Sequence, residues 1–195
     1  AHTLSLHDAL PISPRQDSKQ SRMFIFTKDI IQYMCRLLVD LRPQKSRRIP
    51  CGRTFLSSLA TYIENLVMYL QLDDWELLYA AIYLQRLEPL LPRIQPCPPF
   101  RQCLAAMIAA NKFLHDHAYK NVHWCIVSKA AQFTITNSEV NKAEREILKD
   151  LHWHLKVSGK EVRSALSVAT SLERTPRLKR EDATLGSRQN VASYA

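Results

Sequence analysis

NKAEREILKDLHWHL, residues 141–155, repeats apolar side chains at helical spacing but sets an acid among them. At 100° per residue Val140, Ala143, Ile147, Leu148 and Leu151 share one face, and Glu144 lands among them. An ionised carboxylate on an inward face is costly unless a cation or several donors meet it, so its partner has to come from another helix. The best-placed candidate is Lys112, which follows the oily run MIAAN of residues 107–111. Spacing alone leaves a second reading open: Lys112 snorkels to water at a helix C-terminus, where a cation suits the dipole, and Glu144 sits on the edge of the stripe.

Working outward, FRQCLAAMIAANKFLHD (100–116) is apolar on nearly every side until Lys112, the pattern of a central helix packed on several neighbours. VHWCIVSKAAQF (122–133) predicts a shorter helix, and Thr136 with Glu139 three residues later forms a capping-box signature for the helix that carries Glu144. Upstream, TFLSSLATYIENLVMYLQL (54–72) places Phe55, Leu59, Tyr62, Ile63, Leu66 and Leu70 on one side. Asp73 or Asp74 can cap WELLYAAIYLQRLEPLL, which is stopped around Pro89 to Pro92. KDIIQYMCRLLVDL (28–41) reads as a short leading helix ending before Arg42-Pro43, and GKEVRSALSVATSLER as a trailing amphipathic one. The expected fold is all-α, with five core helices between the leading and the trailing helix.

Three glycines in 195 residues leave little material for hairpin turns or phosphate-cradling loops, while 46% hydrophobic content supports a core. The net charge of +9 is concentrated near the ends, in RPQKSRR (42–48) and ERTPRLKR (173–180), and solvated tails explain it more cheaply than a nucleic-acid surface. Cys35, Cys51, Cys97, Cys103 and Cys125 are odd in number and form no CxxC pair, which points to a reducing compartment and ordinary thiols. No apolar run reaches membrane-spanning length, so no membrane association is expected. TLSLHDALPIS (3–13) reads like a sequencing adapter translated in one frame; residues 1–22 are therefore set aside as artefact and expected to be disordered, with a natural start near Met23.

AAMIAANKFLHD (105–116) followed by VNKAEREILKDLHWHLKVS (140–158) resembles the cyclin box, and DHAYKNVHW (116–124) resembles the joining segment of its fungal Pcl-type branch. The resemblance runs from about Pro50 to Ser158. It implies a five-helix box at 50–158, preceded by a leading helix and basic linker (23–49) and followed by a trailing helix (159–175) and a disordered tail (176–195). It further implies a regulatory, activating and substrate-targeting subunit that forms a heterodimer with a cyclin-dependent kinase, without catalytic residues or a cofactor of its own. In that family a lysine and an acid matching Lys112 and Glu144 pair on the surface and grip backbone groups of the kinase. Phe113, Leu148, Trp153 and Leu155 match apolar positions that pack on the kinase's mobile helix, although Leu148 and Leu155 are as residue types more often core. The mechanism implied is a population shift, in which the active arrangement of the kinase is bound better than the inactive one. The M-R-A-I-L substrate-docking stretch of animal mitotic cyclins has no counterpart in CGRTFLSSLATYIENL (51–66). A nuclear and cytoplasmic location is expected.

HDH (115–117), HWC (123–125) and HWH (152–154) hold histidines, but neighbours at i and i+2 on a helix point apart and no HExxH or CxxC spacing occurs, so no metal site is expected. A cyclin-like helical transcription factor or nucleic-acid-binding module would need a second repeat, often with a zinc ribbon, and neither is present in the sequence. RRIP (47–50) and RLKR (177–180) are then linker solvation or weak import signals, and Thr175-Pro176 is a candidate site for a proline-directed kinase.

Overall fold

The computed structural model describes residues 17–41, 53–90 and 98–171. Among these residues run α1 (Asp17–Asp40), α2 (Arg53–Leu70), α3 (Asp74–Leu87) with a 3-10 turn (Glu88–Leu90), α4 (Pro99–Leu114), α5 (Asn121–Ala130), α6 (Asn137–Asp150) and α7 (Gly159–Ser171), and no strand. The all-α reading holds. α4 starts on a proline at its first position, where the missing N–H costs nothing, and is buried without a break from Gln102 to Asn111. It packs on α1, α2, α3, α5 and α6, the central place that its all-round apolar sequence demands.

Two aspartate- and threonine-led capping boxes start the helices that flank α4. Asp73 accepts from the Glu76 amide while the Glu76 side chain accepts from the Asp73 amide, and Thr136 and Glu139 do the same at α6. Phe55, Tyr62, Phe100 and Phe133 then bind α2, α4 and the end of α5 into one aromatic cluster, with ring centroids 5.2 to 5.9 Å apart. The Tyr62 hydroxyl is satisfied by Ser128 at 2.7 Å, so neither buried oxygen is left without a partner.

The leading helix differs from expectation. It starts at Asp17 rather than Lys28, so residues 17–22, expected to be disordered, form its first turns. It is also no appendage, since Ile30, Ile31, Met34, Leu37, Leu38 and Leu41 are buried and pack on α2, α3, α4 and α7. The local apolar spacing was legible, but that spacing does not say which other helices a stripe meets. α7 ends at Ser171; the tail from 176, Thr175-Pro176, both basic clusters, Cys51 and Cys97 lie outside the described residues. Cys35, Cys103 and Cys125 are free, and burial pushes the Cys35 thiol up to about 12, with Glu64 adding to the effect, so it stays protonated and inert.

With glycine scarce, three helices end on other residues at the position that usually calls for it. Leu72 donates to the Val67 carbonyl, Phe133 to Ser128 and Trp153 to Leu148, the six-residue closure of a Schellman motif. The residue just before each donor has positive φ: Gln71 at 51°, Gln132 at 64° and His152 at 50°. A side chain there is strained against the backbone. Gln132→Gly, on an exposed turn, is expected to stabilise the protein by about 0.5–1 kcal/mol, read as a higher denaturant midpoint at unchanged slope.

Candidate functional site

α4 and α6 lie side by side, and the amine and acid separated by 32 residues meet across them: Lys112 Nζ is 2.6 Å from Glu144 Oε1. The lysine side chain is 37% exposed and the glutamate 14%, so the pair sits at the rim of the core and not inside it. A third group, not identified from the sequence, completes it. Asn121, at the first position of α5, donates from Nδ2 to Glu144 Oε2 at 2.6 Å and to Asn141 Oδ1 at 2.6 Å. Both glutamate oxygens are thus held, which explains how an acid is accommodated on a half-buried face. An ammonium has three N–H donors and a carboxylate about four acceptor positions, so the pair retains capacity for another molecule's backbone groups.

The four apolar candidates divide. Phe113 is 43% exposed and stacks on Tyr79 at 6.0 Å, and Trp153 is 69% exposed. Leu148 and Leu155 are partly buried against the core, so only part of each side chain faces outward. Trp153 and Leu155 are also not on the helix that their spacing implied. α6 stops at Asp150, and His152 and Trp153 both take positive φ, at 50° and 59°, which turns the chain back over α3.

That returning segment is held by residues that the sequence pattern did not single out. Tyr83 donates to the Leu155 carbonyl at 2.8 Å, and Arg86 donates to the carbonyls of His154 and Lys156 and, through Nε, to Glu161 at 2.9 Å. The one available signal was that Arg86 is a lone cation in the apolar run LLYAAIYLQRL. Burial alone would raise Glu161, but hydrogen bonds from Ser158 and the guanidinium of Arg86 outweigh it and hold the carboxyl at about 2. A carboxylate with a depressed folded value contributes stability above its unfolded value near 4.5, lost as pH falls toward about 2. Because Glu161 is more than a third exposed, solvent screening limits this to roughly 1 kcal/mol. Wild-type minus Glu161→Gln stability should therefore shrink between pH 4.5 and 2 and stay constant above pH 5.5.

At the C-terminal end of α4, a cleft of about 480 Å³ is lined by Asp73, Glu76, Asn111, His115 and Tyr119 among others. The donor atoms of Asp73, Glu76 and His115 lie within 4.8 Å of one another, so the fold brings the first histidine of HDH to two acids remote in sequence. Glu76 is already held at both oxygens, by the Asp73 amide at 2.7 Å and by Asn111 Nδ2 at 2.6 Å, with His115 Nε2 farther off at 3.4 Å. Asn111 Oδ1 in turn accepts from the Tyr119 amide at 3.0 Å. The cluster fastens the start of α3 to the end of α4 and to the segment that leads to Asn121.

Comparison with known proteins bears directly on this arrangement. The model of the cyclin N-terminal domain family matches residues 29–156, a span that takes in part of α1 and every residue of the Lys112–Glu144 face. The chain is similar to PHO85 cyclin-1 of Saccharomyces cerevisiae, with 33% identity over 141 residues, 68% of this chain and 50% of that protein. It is also similar to PHO85 cyclin-9 of the same yeast, with 23% identity over 144 residues, 72% of this chain and 46% of that protein. The chain spans about half the length of these curated relatives. Nothing in these matches supports a nucleic-acid-binding module, and no helix among the described residues is long and apolar enough to cross a membrane.

Proposed function

The chain belongs to the cyclin family, and from that premise we propose that it is the regulatory and targeting subunit of a cyclin-dependent protein kinase, of the kind that PHO85 cyclins serve. The observation that carries this reading is the Lys112–Glu144 pair, fixed by Asn121, with the exposed Phe113 next to Lys112 in sequence and the exposed Trp153 just beyond the end of α6. Exposed aromatic side chains supply buried area at an interface, and a charged pair with spare hydrogen-bonding capacity supplies register.

In this reading Lys112 and Glu144 bind backbone groups of the kinase, while Phe113, Trp153 and the outward parts of Leu148 and Leu155 cover its mobile helix. The cyclin fits the inward, active position of that helix better than the outward one, and the difference in affinity shifts the kinase population. Catalysis belongs to the kinase, and this chain supplies no catalytic residue. Such a subunit is expected wherever its kinase acts, in nucleus and cytoplasm.

The test is reconstitution. A purified cyclin-dependent kinase of the PHO85 class should phosphorylate a peptide substrate slowly alone and at least tenfold faster with this chain, whereas the chain alone should transfer no phosphate. Equal rates with and without the chain, together with no complex on size-exclusion chromatography, would reject the reading.

A further inference from the structure

We propose that Arg86 is a positioning residue for the kinase-binding face: it fixes the turn that presents Trp153, and so acts on the partner without touching it. The inference rests on the kinase reading above and extends it to a residue on a different helix.

Trp153 carries a bulky side chain at φ 59°, directly after His152 at φ 50°. Two successive residues on this side of backbone space are costly, and a solvated segment relaxes from such a conformation unless its surroundings fix it. Burial of the tryptophan does not fix it, since the side chain is 69% exposed. Hydrogen bonds do. On the α6 side, Trp153 donates to Leu148 and His152 to Lys149, at 2.8 and 2.9 Å. On the α3 side, three successive carbonyls, those of His154, Leu155 and Lys156, accept from Arg86 Nη1, Tyr83 Oη and Arg86 Nη2. Tyr83 and Arg86 are three residues apart on α3 and therefore share a face. The Arg86 guanidinium also lies 5.8 Å from the centre of the Tyr83 ring, which keeps the two side chains in one arrangement. A planar, rigid fork with five N–H donors can hold two carbonyls and a carboxylate along separate edges, whereas a lysine offers three donors from a single point.

The competing account is that Arg86 only docks α7, through its ion pair with Glu161. The two accounts separate in a double-mutant cycle. Arg86→Ala is expected to weaken kinase binding about tenfold in the wild type and by less than twofold in a Trp153→Ala background, because its effect on binding passes through the tryptophan. The loss of thermal stability should be the same in both backgrounds. Glu161→Gln, which keeps the carbonyl bonds, should lower stability yet leave affinity within twofold. Without any kinase present, amide exchange at residues 153–156 should accelerate at least tenfold in Arg86→Ala, while exchange in α4 is unchanged.

Equal affinity losses for Arg86→Ala in both backgrounds, or unchanged exchange at 153–156, would overturn the positioning role while leaving the kinase reading intact. Absence of binding by the wild type would instead remove the kinase reading, and with it this role, whatever the exchange data show about the clamp.

Discussion

Glu144→Ala is expected to weaken kinase binding by about 2–3 kcal/mol, roughly 30- to 150-fold, with far-UV circular dichroism unchanged. In the free protein the variant leaves Lys112 without its carboxylate and Asn121 with one acceptor fewer. Lys112 is exposed enough to turn to water, so the cost to folding stability is below about 1 kcal/mol. Under a bound kinase that escape is closed, and the ammonium is covered with part of its hydrogen bonding unmet. Lys112→Ala should lower affinity by a similar amount but destabilise the free protein more, because Glu144 is the less exposed partner. This asymmetry, measured by denaturant titration of both variants beside a binding titration, separates an interface role from a packing role. Arg163→Ala, on the exposed face of α7, should change neither affinity nor stability measurably. Unchanged affinity in both Lys112→Ala and Glu144→Ala would show that the kinase uses a different face.

The larger effect on folding is expected at Trp124. It is fully buried on α5 and meets the edge of Tyr119, in the segment that delivers Asn121 to Glu144. Truncation to alanine removes the largest side chain of the core and leaves a cavity that three neighbouring helices cannot fill, at a cost of about 3–5 kcal/mol. Its indole N–H has no hydrogen-bond partner among the described residues. Trp124→Phe removes that unmet donor along with some volume, so it should cost only about 1–2 kcal/mol. Equilibrium urea unfolding distinguishes the two, and equal losses would mean that the site collapses around either side chain.

The helices were legible in the sequence, and spacing nominated the long-range pair but left it open until the family resemblance favoured it. α4 and α6 carry strong and opposite patterns, one apolar all round and one a narrow stripe, and an acid on such a stripe needs a partner whose position few helices could provide. The capping box at Thr136 was legible because it is local, set by residues three apart, whereas at α3 the sequence left the cap open between Asp73 and Asp74 and the structure assigns it to Asp73. What escaped was set by tertiary contacts between polar side chains. Asn121 is one residue of a loop-to-helix joint, and its role exists only because α5 ends up beside Glu144. Periodicity extended α6 through Leu155, since Leu155 falls on the stripe of Leu148 and Leu151. The chain instead leaves the helix at Asp150, because carbonyls of the following residues find donors on α3. For the same reason the sequence did not single out Glu76, which is tied to Asn111 and lies near His115.

The most direct test of the account is photo-crosslinking of the assembled complex from single sites. A benzophenone amino acid at position 113, beside Lys112, should capture the kinase, whereas the same group at position 126, more open to solvent on α5 (61% against 43%), should not. Capture from position 126 with none from position 113 would contradict the assignment of the α4–α6 face as the surface the kinase meets.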